Sequence, residues 1–409
     1  MVPTTLFFSC AVLAIANVVG AVPYAAKPKP VVLNPAKLVA AKVRLDAGTA
    51  SPALKDSLAA LTTQADEWLN KGPWAVTNKT ITPPGGNIHD YASQAPYWWP
   101  SDSADGCPYI QKDGVRNPET ERYTDHGERA DMFIASYILS LAWWYTGNEA
   151  YGRRAGDVLR TWFIDEATRM TPHLDHAQII PCANTGRAIG IIDFSQGYTS
   201  VLDAAALLAA GAPGWSQADA EAFKQWNVQY LDWLENSEFG KTETAAKNNH
   251  GPFAIMQSAG IALFVGNTGL AASKAEAMKS RINQYITANG SQPQELVRTR
   301  SYHYSVFTLV AYTRVADIGK KVGVDLWGYK GPDGQSIMQA INFVTPAATG
   351  AAQWTFPETE FEAYIATDVV HSGADNGNQD AKAALKSIPK PPTGDLWFVR
   401  PAVEQLDPA

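Results

Sequence analysis

The stretch ERADMFIASYILSLAWWYTGNEAYGRRAGDVLRTWF, residues 128–163, decides the fold class. Met132, Ile134, Tyr137, Ile138, Leu141 and Trp144 recur at helical spacing and mark one helix. Thr146-Gly147-Asn148 breaks the pattern, and Tyr151 to Phe163 mark the next helix. Further helices are expected over 197–211, 216–236, 252–266, 269–288, 303–320 and 335–345. The breaks carry Gly, Pro or Asn, as at Gly211-Ala212-Pro213-Gly214 and Gly266-Asn267. Strand signals are sparse. Many helices of similar length joined by short turns predict an all-α fold of paired antiparallel helices. No fixed-period repeat is present, so a simple solenoid is not supported.

Outward from this core, Leu54, Leu58, Leu61 and Trp68 mark a helix, while 22–48 reads as a lead-in rich in Pro, Ala and Lys. Residues 72–127 hold many Pro, Gly, Asp and Asn and read as a long irregular segment, a length that in compact domains often serves function. From about 346 the chain turns irregular again. The expected organisation is a leader at 1–21, the lead-in at 22–48 and a single catalytic domain over 49–409.

With 409 residues, 46% hydrophobic, 18% charged and 13 Trp, the chain buries a substantial core and is not a disordered protein. Its 33 basic and 40 acidic side chains give a net charge of −7, which argues against nucleic acid or an anionic membrane surface as main partner. An anionic substrate stays open, because a basic cleft can sit within an acidic surface. Met1 to Ala21 carries no charged side chain and an apolar run from Leu6 to Ala16, followed by small residues. This reads as a secretory signal peptide rather than a membrane anchor, since a span needs about 20 apolar residues. Removal of Cys10 with the leader leaves Cys107 and Cys182, an even pair that suggests one disulfide in a secreted chain. Asn78-Lys79-Thr80 and Asn289-Gly290-Ser291 fit the N-glycosylation pattern.

Three settings carry chemistry. Tyr97-Trp98-Trp99, between Pro96 and Pro100, lies in the irregular segment, where its rings either stack on sugars or plug the loop to the helices. Asn248-Asn249-His250-Gly251 forms a polar turn before an apolar helix, offering an amide donor and a base that works near neutral pH. Arg298, Arg300, Tyr302, His303 and Tyr304 fall within seven residues. Arg presents a fork suited to a carboxylate, and a neighbouring cation favours phenolate. Together these supply what β-elimination from a uronic acid requires: donors for the C6 carboxylate, a base for the C5 proton and an acid for O4. The alternative is an ordinary helix start. His173 and His176 with Asp175 hint at a metal but lack a further ligand, and there is neither a Gly-x-Ser-x-Gly elbow nor a phosphate-binding Gly loop.

Several of these motifs, in order, resemble the alginate lyase family from about residue 80 to about 345. The marks are Pro96-Tyr97-Trp98-Trp99-Pro100, Asp113-Gly114 with Asn117-Pro118-Glu119, Asn184-Thr185-Gly186-Arg187 leading into Gly190-Ile191-Ile192-Asp193, Asn248-Asn249-His250, and Arg298 to Tyr304. The resemblance implies an (α/α) toroid and a catalytic set of Asn249, His250, Arg298 and Tyr304. Tyr97, Trp98, Trp99, Arg187, Asn248, Arg300 and Tyr302 are the expected substrate contacts. Two departures stand out: Gly251 replaces a larger polar residue, and the Arg-to-Tyr segment is about one residue short, so Arg300 competes with Arg298.

The expectation is therefore a secreted polysaccharide lyase that cleaves β-1,4-linked polyuronate by β-elimination, with no metal and no organic cofactor. For D-mannuronate or D-glucuronate, C5–H and O4 share a face and Tyr304 serves as base and acid. For L-guluronate they lie on opposite faces, with His250 as base and Tyr304 as acid. A glycoside hydrolase would need two facing carboxylates, drawn from Glu128, Asp131, Glu358 and Glu360. A non-catalytic polysaccharide-binding protein would not need the His and Tyr.

Overall fold

The computed structural model describes residues 27–195 and 197–400. The leader read at 1–21 lies outside them. The first helices are α1 (Pro35–Asp46), α2 (Pro52–Trp68), α3 (Asp125–Thr146) and α4 (Glu149–Phe163). Then come α5 (Ile192–Ser195), α6 (Tyr198–Leu208), α7 (Gln217–Asn236), α8 (Glu238–Ala245), α9 (His250–Val265) and α10 (Thr268–Tyr285). The series ends with α11 (Pro293–Leu296), α12 (Ser301–Lys321), α13 (Ile337–Ala348), α14 (Thr367–Asp375) and α15 (Gln379–Ala384). Strands are short: β1 (Ala92–Gln94), β2 (Trp98–Trp99), β3 (Ile110–Gln111) and β4 (His176–Ile179). β1 pairs with β4 in parallel, and β2 with β3 antiparallel.

The pair that opened the sequence reading forms as expected. Gly147 takes a left-handed φ of 70° and ends α3, and the Asn148 side chain accepts from the Ala150 N–H to start α4. Ile134 is the exception to the α3 stripe: it is exposed on the outer surface. The helices stack in two layers of an (α/α) toroid. α3, α6, α9, α12 and α14 neighbour one another in turn, and α2, α4, α7, α10 and α13 pack outside them. The residue pattern explains the division. From Gly251 to Ala262 every α9 residue is buried, as an inner helix flanked on all sides demands. α4 buries one face, with Tyr151, Ala155, Val158, Leu159 and Trp162, and leaves charges on the other.

Two differences from the sequence reading have local causes. The lead-in contains α1, whose few apolar contacts, Leu38 and Ala41, give little periodicity. Asp203 on α6 accepts the N–H groups of Val31, Val32 and Leu33, and Lys321 on α12 donates to the Pro30 and Leu33 carbonyls. The segment before α1 is thus tied to two inner helices. The chain beyond 346 contains α14 and α15, which are short and rich in Asp, Gly and Ala.

The 72–127 segment is irregular as expected, and it is anchored. Cys107 and Cys182 are bonded, with Cα atoms 6.1 Å apart, inside the usual disulfide range. The bond spans 75 residues and joins the β2–β3 ribbon to the loop after β4. Replacing both cysteines by Ser should lower unfolding free energy by about 2–4 kcal/mol. Urea denaturation of the double variant beside the oxidised parent measures it, and equal midpoints would refute the tie.

Candidate active site

Four segments bring the sequence motifs together. The first is the β2–β3 ribbon. Lys112 N–H donates to the Tyr97 carbonyl, Asn117 N–H to the Pro96 carbonyl and Asn117 Nδ2 to the Trp98 carbonyl. These bonds hold Tyr97, Trp98 and Trp99 half-buried. The Tyr97 and Tyr304 hydroxyls lie 3.0 Å apart.

The second is the start of α12. The Arg298 guanidinium stacks over the Tyr304 ring at 3.7 Å and forks onto Asp113, with Nε–Oδ2 3.2 Å and Nη2–Oδ1 2.8 Å. Gly114 makes this reach possible. Its φ is +74°, and a Cβ there would stand 2.4 Å from Thr299 Oγ1. The expectation that Arg298 favours the phenolate is corrected in the unliganded protein. Burial, followed by the adjacent Tyr97, pushes the Tyr304 phenol well above its ordinary value, and Arg298 only partly opposes them. Arg298 faces the ring rather than the hydroxyl, and Asp113 engages its charge. Burial works against the Arg298 cation too, but Asp113 and Tyr304 hold its pKa above the ordinary value.

The third segment is the start of α9. Asn249 is 1% exposed; its N–H donates to Glu295 Oε1 at 2.7 Å and its Nδ2 to Oε2 at 3.0 Å. His250 Nδ1 meets Glu243 Oε1 at 2.5 Å, which leaves Nε2 for another partner. Burial raises the Glu295 carboxyl, opposed by the two Asn249 bonds and by the nearby charges of Arg298 and His250. Glu295 thus links the α9 and α12 groups. Asn248, half-buried, precedes them.

The fourth segment follows β4. The Arg187 guanidinium lies 5.8 Å from the Trp98 ring centre, and its Nη2 donates to Gln178 Oε1 at 2.6 Å. Burial lowers its pKa to about 10, against the pull of Asp193 and Glu243. Gln178, Cys182 and Asn184 all adopt left-handed φ values of 52–74°. Such conformations cost free energy and concentrate where function requires them. Gly186 is needed here, since a Cβ would lie 2.1 Å from the Asp175 carbonyl oxygen.

Two expected substrate contacts point elsewhere. Tyr302 is fully buried, edge-on to Trp354, and its hydroxyl donates to the Ala363 carbonyl. It lies two residues before Tyr304, which puts it on another face of the helix. Arg300 pairs with Glu360 at 3.1 Å and stands 3.9 Å from both Glu358 and Glu362. Arg298, not Arg300, therefore accompanies Tyr304. Trp99 donates to the Val115 carbonyl and receives Lys112 over its ring.

The other proposed groups are placed as follows. Asn78 and Asn289 are exposed, Asn78 donating to Glu128. His173 and His176 both face Asp90, and among the described residues no group of three or more His, Cys, Asp or Glu could hold a metal. Three of the four carboxylates a hydrolase would draw on are engaged: Glu128 accepts from Ala75 N–H and Asn78, Glu360 pairs with Arg300, and Glu358 accepts the Tyr302 and His303 N–H groups. Sequence reasoning gave no role to Glu243, Glu295 or Gln178: Glu295 meets Asn249 from 46 residues away, and Glu243 and Gln178 reach His250 and Arg187, seven and nine residues on, only across a turn of the chain that no local motif marks. Among the described residues, no helix is long and apolar enough to cross a membrane.

A toroid carrying this Asn-His, Arg and Tyr constellation defines a polysaccharide lyase. The chain belongs to the alginate lyase family, whose sequence profile matches residues 75–354. It is similar to an alginate lyase from Bacteroides ovatus, with 30% identity, a TM-score of 0.85, and coverage of 91% of this chain and 99% of that one. Alginate lyase A1-III from Sphingomonas species A1 shares the fold at 17% identity and TM-score 0.57, covering 93% of this chain and 99% of that one. A comparison with curated proteins finds no match.

The start of α12 yields a stability prediction. The Arg300 side chain does not cap this helix; the buried Glu358 carboxylate accepts the two N–H groups instead. Glu358→Ala should cost about 1–2 kcal/mol, in the range of a lost helix cap. Glu360→Ala, at a largely exposed side chain, should cost under about 0.5 kcal/mol. Chemical denaturation of both variants makes the comparison, and equal effects would refute the capping role.

Proposed function

We propose that this lyase cleaves β-1,4-linked D-mannuronate or D-glucuronate polymers by same-face β-elimination, leaving an unsaturated uronate at the new non-reducing end. The observation that carries it is the Tyr97–Tyr304 hydroxyl pair beneath Arg298. Asn249 and His250 offer donors to the C6 carboxylate, which makes C5–H acidic. Tyr304 takes that proton and returns it to O4 as the glycosidic bond breaks. Tyr97 is placed to donate to the phenolate while it lasts. Arg187 and Trp98 form a cationic and aromatic wall suited to a neighbouring uronate, and Asn248 lies beside the donors. A variant of alginate lyase A1-III has been seen complexed with a tetrasaccharide, which supports a polysaccharide as substrate. The leader, the disulfide and the exposed Asn78 and Asn289 support a secreted, glycosylated enzyme with an anionic polysaccharide as partner.

One observation favours a second reading. A phenol held protonated by burial suits an acid, with His250 as base on L-guluronate. Rates on mannuronan, glucuronan and guluronan, followed by the absorbance of the C4=C5 product, separate the two; preference for guluronan would overturn the first.

Tyr304→Phe keeps the ring and should lose about 10²–10⁴-fold in turnover. Tyr302→Phe should keep its turnover, because that hydroxyl serves only the Ala363 carbonyl. Retained turnover in Tyr304→Phe would end the elimination scheme.

The pH profile has a definite sign. Only the deprotonated phenol takes the C5 proton, and its pKa in the folded protein lies above the ordinary tyrosine value. The competent fraction therefore grows with pH, and kcat on mannuronan, which reports the bound complex, should climb from pH 6 to 9. A flat or falling profile over that interval would count against Tyr304 as base.

A further inference from the structure

Glu243 lies on α8, a helix with no apolar period, and is 1% exposed. One oxygen holds His250 Nδ1. The other, Oε2, is buried with no hydrogen-bond partner among the described residues. An ionised carboxylate is costly to bury unless opposite charge faces it. Arg187 supplies charge from the loop after β4. Around the head of α9, Glu295 on α11 faces His250 and Arg298. Arg281 on α10 stands against Gly251 and donates to the Thr244 and Ala246 carbonyls. A residue that merely fastened α8 to α9 would have no need of an acid here.

The chemistry narrows its role. A carboxylate only accepts, so the neutral imidazole spends its one proton on Glu243 and presents a bare Nε2. A bare nitrogen repels a uronate carboxylate, and donation to that group requires a second ring proton. With Glu243 on Nδ1 and a uronate carboxylate at Nε2, the ring serves both acceptors only with a proton on each nitrogen.

We propose that Glu243 is the positioning residue of this site: it directs His250 Nδ1–H inward, leaves Nε2 alone to face substrate, and carries the counter-charge of the imidazolium that forms against the uronate carboxylate. This rests on the polyuronate reading above. Arg187 feels the charge of Glu243 without bonding to it, so the wall that meets a neighbouring sugar and the donor that meets the reacting one share a single acid. Glu243→Gln keeps the shape but removes the charge, and its amide can turn an N–H toward Nδ1 and push the ring proton onto Nε2. The logic is that of the buried acid in a serine protease triad.

The test is ¹⁵N NMR of His250 in full-length protein, assigned by loss of its signals in His250→Gln. Without ligand, the proton should sit on Nδ1; a proton on Nε2 overturns the proposal. With mannuronate tetramer bound to the Tyr304→Phe protein, both ring nitrogens should be protonated, and with Glu243→Gln added only one. A single protonated nitrogen in the complex that retains Glu243 overturns the proposal even if the Gln variant does not fold. On mannuronan, Glu243→Gln should lower kcat/KM about 10²-fold, and a loss under threefold overturns it. If the unmodified enzyme forms no unsaturated product from any uronate polymer, the substrate reading fails, while the unliganded spectrum still decides whether Glu243 directs the ring.

Discussion

Two inner helices begin at the site, and neither is capped by its own N-cap side chain. Asn249 precedes α9 and Arg300 precedes α12, and neither side chain bonds back to the helix it introduces. The first N–H groups of a helix must nevertheless be satisfied. Here buried carboxylates from distant segments do so: Glu295 accepts from Asn249, and Glu358 from Tyr302 and His303. Negative charge at a helix N-terminus is favourable in itself. The arrangement also frees the site. A Ser or Asp cap would fold back onto its own helix, whereas the Asn249 amide is turned to Glu295 and His250 and Tyr304 emerge from the first turns.

The remaining parts of the cleft are loops fastened to these helix heads. Asp113 ties the ribbon loop to Arg298, the Tyr97 hydroxyl reaches Tyr304, and the disulfide fixes the same ribbon to the segment that carries Arg187. That segment contains three left-handed non-glycine residues close together. The conformation is sustained by surroundings that determine it from several sides: β1–β4 pairing, the covalent bond and the Gly186 contact. Rigid helices thus present the reacting groups, and tethered irregular chain shapes the wall opposite.

The helices were legible wherever burial was lopsided and long, as in α3 and α4, because a single stripe of Tyr, Leu and Trp reports a 3.6-residue period. α8 was not, since its face toward the core consists of Gly240 and Glu243. α14 and α15 escaped because they are short: α14 spans nine residues and buries an adjacent Val369-Val370 pair rather than a spaced stripe, and α15 buries only Ala381 and Ala384. At the site, residues that meet the cleft were found through local motifs. The acids behind them were not: Glu358 meets Tyr302 from 56 residues away, and Glu243, though only seven residues before His250, meets it across the turn between α8 and α9, where no periodicity reports the contact. Tyr302 shows the converse error. Its type and its proximity to Tyr304 suggested a shared role, while helical geometry turned it into the core.

The origin of the α12 cap bears on where the working unit ends. The family profile stops at residue 354, four residues before Glu358. The strand that supplies this acid also exchanges backbone bonds with Thr299 and Ser301. On the opposite flank, residues 30–33 are bound to Asp203 and Lys321, ahead of the region the profile recognises. A segment excised at the limits of family similarity would keep every residue of the candidate site and lose contacts that hold α12 in place. The boundary drawn by resemblance is therefore narrower than the boundary drawn by mechanics.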